Sequence, residues 1–446
     1  MTGVDHSDRA SRSWAIASLV AIVLVFIGLR LLTGVVGSAE RWDEMYITVP
    51  MFDIIEHGWS MQTAIDFQET KGPALIWPYA LLGDWLGGSL DDLRLVSGLF
   101  FVLSAVPMIL LAWRCGTQRI DLFLVTVCLI LLPTEVVYGQ LVMGEGSFIF
   151  GAICLLLAAL WGLGDWRRAG HPVAGPILFG LLVAILLHSR IHAVAWAGAV
   201  CLVAWQRDGI RSWPWWLAAL LAGLLRIPLW YRWGGLVSSD YSNLHGLGFR
   251  LEPLVYLGAA LVPLTGIFIL VWLARYRHCT WWFLCPLGAM LGFILSMIAM
   301  PDLAIPSVLE LNVMHDRYQG IAATAVTMIA GEGAGGSFLL GACCMLGFAS
   351  LGGLGALALG NREANANLYC MYDEGLTTLA RIQFWVLVSG ISLYAFTRGF
   401  VFDRYLVVWG ACLPVLWVRY LPRWLLALQC LALFVIMLRM ISNWLT

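Results

Sequence analysis

Long apolar runs separated by short polar turns dominate this chain. From Trp14 to Val36 the only charged residue is Arg30. At about 1.5 Å per residue such a stretch crosses a hydrocarbon layer of about 30 Å. Further runs fall near 94–113, 120–134, 146–163, 174–188, 191–205, 213–231, 254–273 and 281–300. Four more candidates follow near 319–331, 337–359, 381–398 and 405–444, and Leu421-Pro422 would break the last into two helices. The stretch 75–92 is short and interrupted by Pro78, Gly83, Gly87 and Gly88, which predicts a helix that dips into the membrane from one face rather than crossing it. The pattern therefore predicts an all-α fold: a polytopic transmembrane helical bundle of 11–14 helices.

Composition sharpens this picture. With 61% hydrophobic and 12% charged residues and a mean hydropathy of +0.84, the chain carries far more apolar surface than a soluble core needs. A net charge of -1, without an Arg-rich block, excludes nucleic acid as a partner and leaves membrane lipids. Trp85, Trp113, Trp161, Trp205, Trp213, Trp215 and Trp216 stand near the ends of apolar runs, where an indole prefers the headgroup zone. The 11 Cys lie mostly inside apolar runs, so they read as small core residues and not as a disulfide framework. The first run is too long, and too weakly marked by a small-residue cleavage site, for a removed signal peptide. Gly352, Gly353, Gly355 and Gly360 predict close helix packing.

Placing Arg9 and Arg12 inside puts residues 37–72 outside, and the basic turns at 114–119, 167–168, 207–211 and 275–277 then also fall inside. No outer segment is long enough for a soluble domain. The chain reads as one domain over 1–446, with a core at 14–205, a variable helical region at 206–446 and an outer loop at 37–72.

The outer loop holds the candidate chemistry. Glu40-Arg41-Trp42-Asp43-Glu44 leads into a segment in which Met45, Val49, Phe52 and Ile55 share one face, with an acidic face opposite. Pro50 and Gly58 predict a juxtamembrane helix over 50–57. Adjacent carboxylates at a membrane surface suit a general base or a metal ligand, since lost hydration raises their proton affinity. An ordinary acidic outer loop would carry the same charges. Lys71 is the only lysine in the chain, among 26 basic residues, and a compact ammonium suits a phosphate as a point charge.

The order of these features carries a resemblance. One span, an outer Asp43-Glu44, an amphipathic helix ending in Gly58-Trp59, Lys71-Gly72-Pro73-Ala74 and then Leu93-Arg94 resemble the GT-C superfamily of membrane glycosyltransferases. The nearest branch holds the protein O-mannosyltransferases and the lipid A aminoarabinose transferases, and the likeness covers roughly 14–165. It implies a GT-C-like bundle with juxtamembrane helices in the first outer loop. It also implies transfer of a sugar from a polyprenyl-phosphate donor to a lipid, glycan or protein acceptor by inverting displacement. Carried onto this chain, Asp43 is the base with Glu44 beside it, and Lys71 and Arg94 meet the donor phosphate.

Further site residues are weaker. Arg404, in Asp403-Arg404-Tyr405, resembles the Arg-Tyr opening a late helix in these transferases, and Arg317 is placed alike; both are candidates for donor phosphate. Glu69, His57, Glu145 and Arg190 are candidate substrate contacts, and a divalent metal ion on Asp43 and Glu44, with Glu69 and His57 near, is left open. Two motifs depart from the family: Gly72 replaces a proline, and Met143-Gly144-Glu145 stands where relatives carry Arg-Pro-Asp. The expected location is a bacterial inner membrane, with the site facing the periplasm or exterior. The alternative reading is a transporter or flippase of lipid-linked sugar, although no half-to-half repeat supports it. Gly331-Glu332-Gly333-Ala334-Gly335-Gly336 matches a dinucleotide-binding spacing but separates two apolar runs, where no βαβ unit exists.

Overall fold

The computed structural model describes residues 4–41, 44–60, 71–132, 139–164, 173–235, 248–275, 281–301, 318–331, 333–360, 374–397, 401–402 and 404–445. The chain divides into two compact units, Met1–Ser238 with Ala411–Thr446, and Ser239–Gly410. The C-terminal helices thus rejoin the first unit.

In the first unit the helices are α1 (Val4–Thr33), α2 (Glu44–His57), α3 (Pro73–Leu86), α4 (Leu90–Arg114), α5 (Ile120–Ile130), α6 (Glu145–Leu163), α7 (Ala174–Ser189), α8 (Ala193–Asp208), α9 (Trp213–Leu224) and α10 (Ile227–Trp233). The second unit holds α11 (Glu252–Ala260), α12 (Val262–Thr265), α13 (Ile267–Arg275), α14 (Leu284–Ile298), α15 (Ile321–Ala330), α16 (Ala334–Leu359), α17 (Glu374–Tyr394) and α18 (Arg404–Trp409). A two-residue parallel pairing joins Tyr318–Gln319 to Val401–Phe402. The first unit closes with α19 (Leu413–Tyr420) and α20 (Arg423–Leu445), separated at Leu421-Pro422 as expected.

Among the described residues five helices are long and apolar enough to cross a membrane: Ser11–Thr33 of α1, then α4, α6, α16 and α17. A sixth is possible if Glu252–Thr265 and Ile267–Ala274, bent by 67°, form one broken span. Shorter apolar helices, α5, α7 and α14, add to the bundle. The protein is an integral membrane protein with a helical fold.

Three features of the first unit position the site. Helix α3 is 14 residues long, about 21 Å, and folds back along α4 through a turn at Gly87–Ser89. Gly83 packs on Leu93 and Tyr79 reaches Ser97, so the two helices run antiparallel. The turn lies beside the end of α1, where the Gly37 amide donates to Asp91 Oδ2 at 2.8 Å. The stretch 75–92 thus turns back at its glycines, as their placement suggests. Ser89 caps α4 through a reciprocal pair with Asp92: the Asp92 amide donates to Ser89 Oγ at 3.3 Å, and the Ser89 amide to Asp92 Oδ2 at 3.0 Å.

Helix α2 corrects the expectation over 50–57. It begins six residues earlier, at Glu44, and carries Pro50 within it. Its start is set by Glu44, whose Oε2 accepts from the Arg41 amide at 2.9 Å, an interaction that the apolar spacing does not encode. Met45 and Val49 are exposed as a membrane-facing side would be, but the opposite face is buried and largely apolar, not acidic. There Ile47, Met51 and Ile54 pack with Leu75, Ile76, Tyr79, Leu93, Val96 and Val142 into one core cluster. Trp59 follows the helix and meets Trp77 of α3 edge to face, with ring centroids 5.0 Å apart.

Candidate active site

The site is built where the ends of several first-unit helices meet. Arg94, in the first turns of α4, is fully buried and pairs with Glu44 at the start of α2. Its Nη2 donates to Glu44 Oε2 at 2.6 Å and its Nε to Glu44 Oε1 at 3.0 Å. The remaining N–H groups go to backbone: Nη1 donates to Val35 O at 2.8 Å and Ser38 O at 3.0 Å, and Nη2 to Ala39 O at 2.8 Å. A guanidinium has five N–H donors, and all five of Arg94 are taken by the chain itself. Glu44 is equally engaged, because Oε1 also accepts from the Val142 amide at 2.9 Å. Four donors thus occupy its two oxygens, a geometry that fixes the loop after α1 and leaves Glu44 little capacity to act as a base.

A second buried pair lies at the start of α6. Arg190 Nη2 stands 2.9 Å from Glu145 Oε1 and donates to Met143 O at 2.6 Å. Here the guanidinium is not saturated, since Nε has no hydrogen-bond partner among the described residues. Gly144 permits this start of α6: its φ is +77°, and a Cβ there would strike Leu75 of α3. The segment 141–143 ties the two pairs together. Ser97 Oγ donates to Leu141 O at 2.7 Å, Val142 donates to Glu44, and Met143 accepts from Arg190.

Lys71 comes from a third element, just before the N-cap Gly72 of α3. It is 6% exposed and immediately precedes the docking point of α3 on α7, where the Gly72 amide donates to Ser189 O at 2.9 Å. Lys71 and Arg190 therefore flank one hydrogen bond, each a single residue away from it. A Cβ on Gly72 would lie 1.9 Å from the His188 carbonyl oxygen. Gly72 is thus not an accidental loss of proline: a proline would remove the N–H that reaches Ser189 and place carbon where that carbonyl sits.

The other sequence candidates fall differently. Asp43, Glu69 and Arg317 lie outside the described residues. His57 sits at the exposed end of α2, where its Nδ1 lies 3.1 Å from Asp53 Oδ1. Arg404 opens α18 in the second unit, buried, with its guanidinium carbon 5.5 Å from the Tyr405 ring centroid. His188 Nδ1 lies 2.8 Å from Ala184 O, within its own helix. Among the described residues no group of three or more His, Cys, Asp and Glu could hold a metal ion. Sequence reading missed Ser97, Tyr79 and Val142, each of which acts through a hydroxyl or backbone group that no charge pattern marks.

The comparisons with known proteins give one kind of match. Over 88% of this chain and 76% of the other, the fold is similar to the crystal structure of ArnT from Cupriavidus metallidurans in the apo state, with 14% sequence identity and a TM-score of 0.42. The crystal structure of the same ArnT bound to undecaprenyl phosphate is similar over 93% and 77%, with 15% identity and a TM-score of 0.42. No protein family and no curated protein matches the chain.

Proposed function

We propose that this protein is a membrane glycosyltransferase that moves a sugar from a polyprenyl-phosphate donor to a lipid, glycan or protein acceptor. The observation that carries the reading is the junction of Lys71 with Arg190: two buried cations flank the Gly72–Ser189 hydrogen bond, and Arg190 keeps an unfilled donor. A leaving phosphate develops charge as the glycosidic bond breaks, and preorganised cations stabilise it in a water-poor site. In this reading Lys71 and Arg190 meet the phosphate, with Glu145 holding the Arg190 fork. Arg94 serves instead as a positioning residue, because its donors are consumed within the chain.

Asp43 is the proposed base that takes the acceptor proton as the acceptor oxygen attacks the anomeric carbon and the polyprenyl phosphate departs. The supporting argument is its neighbour: Glu44 is locked by four donors, so the role of base passes to the carboxylate beside it in sequence. The site facing the periplasm or exterior of a bacterial inner membrane belongs to the same proposal. Donor consumption tests it: purified protein in lipid, given labelled polyprenyl-phosphate sugars and an acceptor extract, releases polyprenyl phosphate. Movement of intact lipid-linked sugar across the bilayer, without release, would favour a flippase.

A further inference from the structure

Arg226 sits at the break between α9 and α10 and is fully buried. Two indoles flank its guanidinium, whose carbon lies 5.9 Å from the Trp230 ring centroid and 5.6 Å from that of Trp233. Aromatic faces attract a cation but do not satisfy its N–H groups. Among the described residues Nε and Nη1 of Arg226 have no hydrogen-bond partner, and neither does the indole N–H of Trp230. No acidic side chain pairs with it there either. A buried cation without a counter-charge is among the costliest features a fold can keep, and inside a membrane protein it points to a functional place.

Its height in the bundle bears on which anion it meets. Helices α7, α8 and α9 follow one another through short turns, so α7 and α9 run parallel. The Phe179 ring lies tilted against Trp215, with centroids 5.2 Å apart, and a Cβ on Gly180 would meet Ala218 at 3.0 Å. Arg226 lies eight residues beyond Ala218 and His188 eight beyond Gly180, so at equal rise they stand level. His188 is the residue whose carbonyl abuts Gly72, next to Lys71. Counting equal rise along the two parallel helices puts Arg226 near the level of the Lys71–Arg190 junction.

We propose that Arg226, with the Trp230 indole N–H beside it, binds phosphoryl oxygens of a lipid-borne phosphate as a further residue of that site. This rests on the transferase reading for its location, but the binding itself needs no turnover. The planar fork of a guanidinium matches two phosphoryl oxygens, and among the described residues no carboxylate pairs with it in this aromatic-walled place.

The test compares affinity for undecaprenyl phosphate and for phosphatidylglycerol, by native mass spectrometry on the delipidated full chain, between native protein, Arg226→Met and Arg226→Lys. The expected result is at least a tenfold loss for undecaprenyl phosphate in Arg226→Met and a smaller loss in Arg226→Lys. The thermal midpoint of unliganded Arg226→Met should equal or exceed that of the native chain, because an uncompensated charge is gone. A loss confined to phosphatidylglycerol would keep the phosphate site and assign it to a bilayer lipid. Unchanged affinity for both lipids in Arg226→Met overturns the proposal. Should the variants not fold, hydrogen exchange on the native chain decides: either lipid should protect residues 224–233, and no protection by both overturns it. A chain that binds through Arg226 yet consumes no donor would leave this inference standing and remove the transferase reading.

Discussion

Glu44 and Arg94, fifty residues apart in sequence, meet through two hydrogen bonds of 2.6 and 3.0 Å with both side chains wholly buried. The pair also gathers the Val142 amide and the carbonyls of Val35, Ser38 and Ala39. Removing one partner of a buried pair strands the other as an unpaired charge, at a cost of about 3–5 kcal/mol. Glu44→Gln and Arg94→Met are therefore expected to lower the thermal midpoint strongly. Arg94→Lys should do so as well, because an ammonium cannot span the carboxylate and three carbonyls at once. Thermal melts of the purified chain check this, and native-like midpoints would show that the pair does not hold the loop.

The close approach of Gly72 to His188 makes a second prediction. Gly72→Ala places a methyl group 1.9 Å from a carbonyl oxygen, so the start of α3 must shift and carry Lys71 with it. Misplacement of about 1 Å can lower turnover about 100-fold. The expected outcome is a fall of that order in donor consumption with the far end of α3 unmoved, read by turnover together with hydrogen exchange.

Lys71 itself should tolerate no replacement. Lys71→Ala is expected to lower donor turnover by about 10²–10³-fold, the loss typical of one stabilising group at a developing charge. Lys71→Arg should recover little, because its broader fork must fit a site that is 6% exposed and closed by the α7 terminus. Both variants should keep native midpoints, which separates this loss from the structural loss at Arg94.

The Glu145–Arg190 pair offers a coupling test. Glu145→Gln and Arg190→Met should each destabilise the chain, whereas the double variant should be milder than the sum because neither charge is stranded. Turnover should follow a different order: Glu145→Gln keeps a cation at the site and loses less than Arg190→Met. Equal losses would mean that Arg190 only anchors Met143.

Much of this arrangement was legible before any coordinates. The helical class, the turn between α3 and α4 and the break at Leu421-Pro422 follow from apolar runs and from Pro and Gly placement, whereas the bends at 225–226 and near Gly266 and the shortness of several helices, which leave five or six described spans where 11–14 were expected, do not. The role of Arg94 was not legible. Its acceptors include the carbonyls of residues 35, 38 and 39, and a backbone carbonyl leaves no trace in sequence. The start of α2 was hidden for a similar reason, since Glu44 acts through its side chain on the Arg41 amide while Pro50 advertised a later beginning. Gly72 reads in sequence as a weakened motif, and only the His188 carbonyl against it gives the reason for a glycine. Arg226 did carry a signal, a lone charge within the apolar run 213–231 with Trp230 and Trp233 following it.

The division of labour between Asp43 and Glu44 is the central claim, and single-turnover release of polyprenyl phosphate from labelled donor tests it most directly. Native protein, Asp43→Asn and Glu44→Gln are compared in lipid, each with its thermal midpoint. The account predicts that Asp43→Asn melts as the native chain does but loses about 10²–10⁴-fold in rate, the range a positioned base supplies. It predicts that Glu44→Gln loses stability first. A native chain that releases no polyprenyl phosphate, or an Asp43→Asn chain that releases it at the native rate, would contradict the account.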